Sequence, residues 1–144
     1  MKCCPHLQSL SKKSNNNNRE ANHQTNSDLH HLEKLFKLVI ELNRGKSSHY
    51  EGSASSNNLK CSSCEQMNRL YVCVHCFSVS CLSHIEQHWR LKSHPLFVEI
   101  SYAAVYCHLC RDFQYDRFLE EFVRELFLKE GFFPFGNLNL YQVI

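Results

Sequence analysis

The 144-residue chain is poor in the residues from which tight catalytic loops are built: four glycines, three prolines and a single tryptophan. Glycine is the default residue where backbone must turn left-handed, so its scarcity argues against an active site made of glycine-rich loops. Charge of one sign is also lacking. Sixteen Lys and Arg face 14 Asp and Glu, a formal net charge of +2, which argues against a protein that coats nucleic acid. No apolar run approaches the roughly 18 residues needed to span a bilayer, so no membrane partner is expected. Met1 to His6 has no hydrophobic segment of the secretory kind, which disfavours a secreted disulfide scaffold.

In excess are cysteine, with nine, and histidine, with ten. An odd cysteine count suits full disulfide pairing poorly, and histidine has no role in such a scaffold. Where thiols stay reduced, clustered Cys and His point to zinc.

The chain divides by composition. Residues 1–7 carry a first Cys/His group, and 8–27 form a low-complexity insert with Asn15 to Asn18 in a row, expected to be a loop or disordered. Residues 28–44 predict a helix. Leu29, Leu32, Leu35, Phe36, Val39 and Leu42 recur at helical spacing, with Asp28 as cap and Gly45 as stop. Residues 45–58 read as a Ser/Asn-rich loop.

The main body is 59–115. Strands are expected at Leu70–Val74, Phe77–Cys81 and Leu96–Ile100, and a short helix at Leu82–Lys92. Residues 116–144 comprise a helix opened by Asp116 and stopped by Gly131, then an apolar tail. Phe132, Phe133 and Phe135 in that tail exceed what a small domain hides, a candidate partner patch.

Four short pairs hold the chemistry: Cys61-x-x-Cys64, Cys73-x-x-Cys76, Cys107-x-x-Cys110 and Cys4-Pro5-His6. The two-residue gap lets both thiolates of one turn reach a single ion at about 2.3 Å. Cys81, His84, His88 and His94 bring the donors to the number that fills three tetrahedral sites. His84 and His88 share a helix face but need not share a metal. Cys3-x-x-His6 is also feasible by spacing. His75 and His108 lie inside CxxC turns and read as exposed turn residues. A Cys73–His75 nucleophile is disfavoured, because a zinc-bound thiolate is a poor free nucleophile. With eight thiolates and three dications, the formal charge of +2 falls to zero.

The order Cys-x-His, a long gap, CxxC, CxxC-x4-C, His-x3-His-x5-His, CxxC resembles the UBP-type zinc finger of ubiquitin-specific proteases. Leu70-Tyr71-Val72-Cys73, His94-Pro95-Leu96, Tyr102 to Cys110 and Asp112 to Asp116 resemble in particular the branch serving the SAGA transcription coactivator, whose members remove ubiquitin from histones.

The resemblance implies a small α+β domain, a twisted antiparallel sheet with flanking helices, stapled by three structural zincs. It implies Cys4, His6, Cys107 and Cys110 on one zinc, Cys61, Cys64, Cys81 and His84 on a second, and Cys73, Cys76, His88 and His94 on a third. The second and third sets interleave along the chain, so neither forms without folding the same segment. The family's Cys-x-His pattern selects Cys4 over Cys3.

Many members hold the free Gly-Gly tail of ubiquitin with a Gly-Arg-Tyr stretch and a Trp before the last CxxC. Here Leu82-Ser83-His84 and Tyr106 stand in those places, so adaptor subunits are the expected partners and ubiquitin a secondary candidate. Nothing after Asp116 resembles a Gly-Asn-Thr-Cys nucleophile box, so this chain is expected not to cleave by itself. Nuclear localisation is implied by the branch. The rival readings are a finger for the free ubiquitin tail and a RING- or B-box-like ligase module.

Overall fold

A computed structural model describes residues 4–11, 21–47 and 59–132. The tail from Phe133 onward, Cys3 and most of the two soft stretches lie outside the described residues. The elements are α1 (Pro5–Ser11), α2 (Ala21–Ser47), β1 (Leu70–Cys73), β2 (Val79–Cys81), α3 (Leu82–Lys92), β3 (Leu96–Glu99), β4 (Ala104–Cys107), β5 (Asp112–Gln114) and α4 (Arg117–Glu130). The strands form one antiparallel sheet in the order β2-β1-β3-β4-β5. The expected α+β class, with an antiparallel sheet flanked by helices, is what the chain adopts.

Alternation sorts the strand residues between two faces. Leu70, Val72 and Val74, then Leu96, Val98 and Ile100, then Val105 and Cys107 enter the main core with α1, α2 and α4. Tyr71, Cys73 and Phe97 face the other way and pack with Ile85 of α3 and with Tyr106 and Phe113. Both faces are covered, which is why every residue of β1 and β3 is buried, Glu99 included.

Helix α2 contributes Leu32, Leu35, Phe36, Val39 and Ile40, all nearly inaccessible, at a spacing that makes one stripe. Asn43 fastens its far end, its Nδ2 donating to the carbonyls of Val39 (3.0 Å) and Ile100 (2.7 Å). The helix begins at Ala21 rather than the expected Asp28, and it runs through Gly45 to Ser47. The docked apolar half is the costly nucleus; propagation into polar residues then adds a bond per residue and outweighs the weak propensities of 21–28. Gly45 costs about 1 kcal/mol in a helix and does not stop it. Gln8–Ser11 is likewise helical rather than loop.

Helix α4 follows the local rules. Asp116 caps it by accepting from the Leu119 amide at 2.9 Å, and Gly131 ends it at φ 65°. Among the described residues no helix is long and apolar enough to cross a membrane.

Candidate metal centre

The scarcity of glycine does not prevent tight turns here; other residues take the left-handed positions. Each of two CxxC turns starts on the last residue of a strand, Cys73 on β1 and Cys107 on β4. The residue after the second cysteine is left-handed in both, Phe77 at φ 63° and Arg111 at φ 53°. In the first turn the Phe77 amide donates to the Cys73 carbonyl at 3.0 Å, and the Cys73 amide to the Ser78 carbonyl at 2.9 Å. The third CxxC, Cys61 to Cys64, hangs on β2 through the Ser62 amide and hydroxyl, both donating to the Val79 carbonyl.

Helix α3 serves two of these turns. Cys81 is its N-cap, with the sulfur turned toward His84 Nδ1 at 3.2 Å rather than bonded to a backbone amide. One turn later His88 projects toward the Cys73–Cys76 knuckle. The helix ends on Ser93, left-handed at φ 57°, which swings His94 back to the same knuckle. His84 and His88 thus share a helix and serve different groups. The third turn, at the β4–β5 edge, meets α1. Pro5 starts that helix, whose first-turn amides of Leu7 and Gln8 donate to the Cys4 carbonyl, and the Cys4 amide donates to Gln114 Oε1 at 3.1 Å.

The result is three groups of four donors: Cys4, His6, Cys107 and Cys110; Cys61, Cys64, Cys81 and His84; and Cys73, Cys76, His88 and His94. Within each, all donor atoms lie within 4.8 Å of one another. These are the same three sets that the family resemblance implies. Cys4 is in its group, while Cys3 lies outside the described residues. His75 is exposed and outside the groups, its ring 4.9 Å from that of His94. His108 is half-buried, 6.5 Å from Trp89.

A tetrahedral zinc with sulfur at about 2.3 Å and nitrogen at about 2.05 Å has edges of about 3.8 Å for S···S, 3.5 Å for S···N and 3.3 Å for N···N. The Cys64–Cys81 sulfurs are 3.8 Å apart. Sulfur–nitrogen separations are 3.2 and 3.7 Å in the group around His84 and 3.4 and 3.6 Å around His6. In the third group Cys73 to His94 and Cys76 to His88 are both 3.5 Å, and His88 Nε2 to His94 Nδ1 is 3.4 Å. The donors stand where a tetrahedral ion requires them. All eight described cysteines are free rather than paired as disulfides.

Electrostatics differ between the groups. Burial raises the Cys61 thiol, but amide donation from Cys81, Ser63 and Cys64 outweighs it and holds the group at about 6. Burial pushes the Cys73 thiol up to about 11 against the amides of Cys76 and His75. Burial, then His94 and Lys92, keep His88 below the usual imidazole value, which favours the neutral, ligating form. Ser78 lies 3.4 Å from His88 Nδ1 and 3.2 Å from Cys76 Sγ, an orienting partner that sequence reading missed because a serine beside a CxxC carries no signal of its own.

Comparison with known proteins agrees with this geometry. Residues 61–119 match the family model described as "Zn-finger in ubiquitin-hydrolases and other protein". Ubiquitin carboxyl-terminal hydrolase 22 of Bos taurus is 36% identical over 84 residues, covering 53% of this chain and 16% of that protein. Ubiquitin carboxyl-terminal hydrolase nonstop of Drosophila melanogaster is 45% identical over 49 residues, 33% of this chain and 10% of that protein. This chain therefore matches about a sixth or less of the length of these relatives. A chain of the solved SAGA Ubp8/Sgf11/Sus1/Sgf73 DUB module bound to ubiquitin aldehyde superposes with a TM-score of 0.57 at 17% identity, covering 90% of this chain and 26% of that one. At that identity the likeness is one of fold.

Proposed function

Taking residues 61–119 as a UBP-type zinc finger, we propose that the chain is a non-catalytic docking module whose three Cys/His groups each hold one structural zinc. The observation that carries this reading is closure. Each group supplies four protein donors, which completes a tetrahedron and leaves no position for a reacting water. An ion in such a site supplies folding free energy, on the order of 10 kcal/mol apparent, rather than turnover. The first site would join α1 to the β4–β5 edge. The other two would pin α3 to β1 and β2.

The partners follow from the relatives. The solved module that this chain resembles contains Sgf11, Sus1 and Sgf73 beside Ubp8. Adaptor subunits of that kind are the proposed partners, in the nucleus, with this chain in the role of the N-terminal finger of a histone-directed, SAGA-type deubiquitinase. Departures at the ubiquitin-tail positions support docking over tail capture. After Cys81 stand Leu82, 53% exposed, and Ser83, with no basic side chain to hold a carboxylate, and His84 is drawn into a donor group.

Two titrations test this. Mixed with adaptor proteins of the Sgf11, Sus1 and Sgf73 type, the zinc-loaded chain should form a stable complex by size-exclusion chromatography. Titrated with ubiquitin ending in free Gly-Gly, it should show no binding at high concentration. Micromolar binding there, with no adaptor complex, overturns the docking reading in favour of a ubiquitin-tail sensor. Autoubiquitination with a conjugating enzyme would instead identify a ligase module.

A further inference from the structure

Helix α2 reaches the third donor group through His31. His31 donates from Nε2 to the carbonyl of Val74 at 2.6 Å. Its ring stacks on that of Phe77, with centroids 4.8 Å apart and planes at 29°. Val74 and Phe77 flank the tip of the knuckle that carries Cys73 and Cys76. Phe77 is the residue in the left-handed conformation, and its amide closes the turn onto the Cys73 carbonyl. A single imidazole therefore grips the knuckle just inside both ends, from an element 43 residues away in sequence. The knuckle needs such a grip, because a non-glycine residue at positive φ persists only where its surroundings over-determine it.

We infer that His31 is a positioning residue of the Cys73/Cys76/His88/His94 site, and that loading of this site and seating of α2 are linked. The inference rests on the three-zinc reading. His31 holds the Val74 carbonyl and the Phe77 ring, and these hold the two sulfurs at the spacing that His88 and His94 complete. Linkage runs both ways: the ion favours the knuckle geometry that receives His31, and a docked α2 presents a preformed sulfur pair. Both of these contacts of His31 fall on the Cys73–Cys76 knuckle.

Cobalt loading of the full chain tests this by release into excess chelator. The His88/His94 site has two thiolates and two imidazoles, whereas the other sites have three thiolates each, so its spectrum is separable. His31→Ala removes both contacts, and His31→Phe keeps the stack but has no donor. Asn43→Ala serves as the control that loosens α2 away from the knuckle. Each His31 variant should lose the Cys2His2 ion about tenfold faster, with the other two ions at wild-type rates. Asn43→Ala, which loosens α2 but leaves His31 in place, should speed release from the same site by a smaller factor. Equal acceleration at all three sites, no acceleration, or failure of both His31 variants to fold would overturn the inference, since His31 would then support the core in general. A wild-type chain that takes fewer than three ions would instead break the underlying reading.

Discussion

Arg111 offers a substitution whose expected sign is opposite to intuition. Its side chain is exposed and its backbone is left-handed at φ 53°, directly after Cys110. A side chain with a Cβ in that region costs about 1–2 kcal/mol relative to the right-handed form. Glycine adopts the region freely but adds about 0.5–1 kcal/mol of backbone entropy loss on folding. The net for Arg111→Gly is a gain of about 0.5–1 kcal/mol. For a chain of this size that is a rise in Tm of about 2–5 °C. Thermal unfolding in zinc-saturated buffer reads it, with Arg111→Ala as the control, since alanine keeps the Cβ and should bring no gain. Phe77→Gly relieves the same backbone strain but deletes the ring that stacks on His31, so it should be destabilising. An Arg111→Gly chain that melts at or below the alanine control would refute the claim that these knuckles carry backbone strain.

Three further outcomes follow from individual contacts. Asn43→Ala removes both bonds to Val39 and Ile100 and should cost about 1–3 kcal/mol by chemical denaturation, because a carbonyl loses its partner. Asp116→Ala removes the α4 cap and should cost about 1 kcal/mol, with the earliest loss of amide protection in the first turn of that helix. The Cys73 thiol is raised to about 11, so in the metal-free fold it carries a proton at neutral pH that the ion must displace. Metal affinity at that site should therefore climb as pH rises and fall on acidification; an affinity flat across neutral pH by competition titration would contradict this. The same raised value stabilises the metal-free fold only in the protonated form, and that contribution is lost as pH climbs through about 11.

How much of this was legible depended on whether the signal was local. The Asp116-to-Gly131 helix was readable because its cap, its stop and its apolar spacing sit inside the segment itself, and the Leu82–Lys92 helix was readable as a short segment ahead of Pro95. The strand at Leu70 was readable from strand-like alternation, and the one at Leu96 from the short strand-like segment that follows Pro95. By contrast β4 and β5 were not expected. Ala104–Cys107 is four residues leading into a CxxC turn, and Asp112–Gln114 is a polar triplet held in extended form by pairing with β4. The early start of α2 was hidden for a related reason: residues 21–27 are helical by propagation from a docked core, not by their own preference.

The twelve donors were legible because metal coordination demands a fixed spacing within each turn and a fixed total, whereas their division into three sets came from the family resemblance. Their supports, Ser78, Gln114 and His31, were not, because a single polar residue becomes meaningful only once the fold brings it near.

The measurement closest to the centre of the account is metal content against folding. Native mass spectrometry of the purified chain should find three zinc ions, and chelation should abolish the cooperative melting transition. One or two ions per chain, or a transition unmoved by chelator, would contradict the claim that three closed Cys/His tetrahedra hold this fold together.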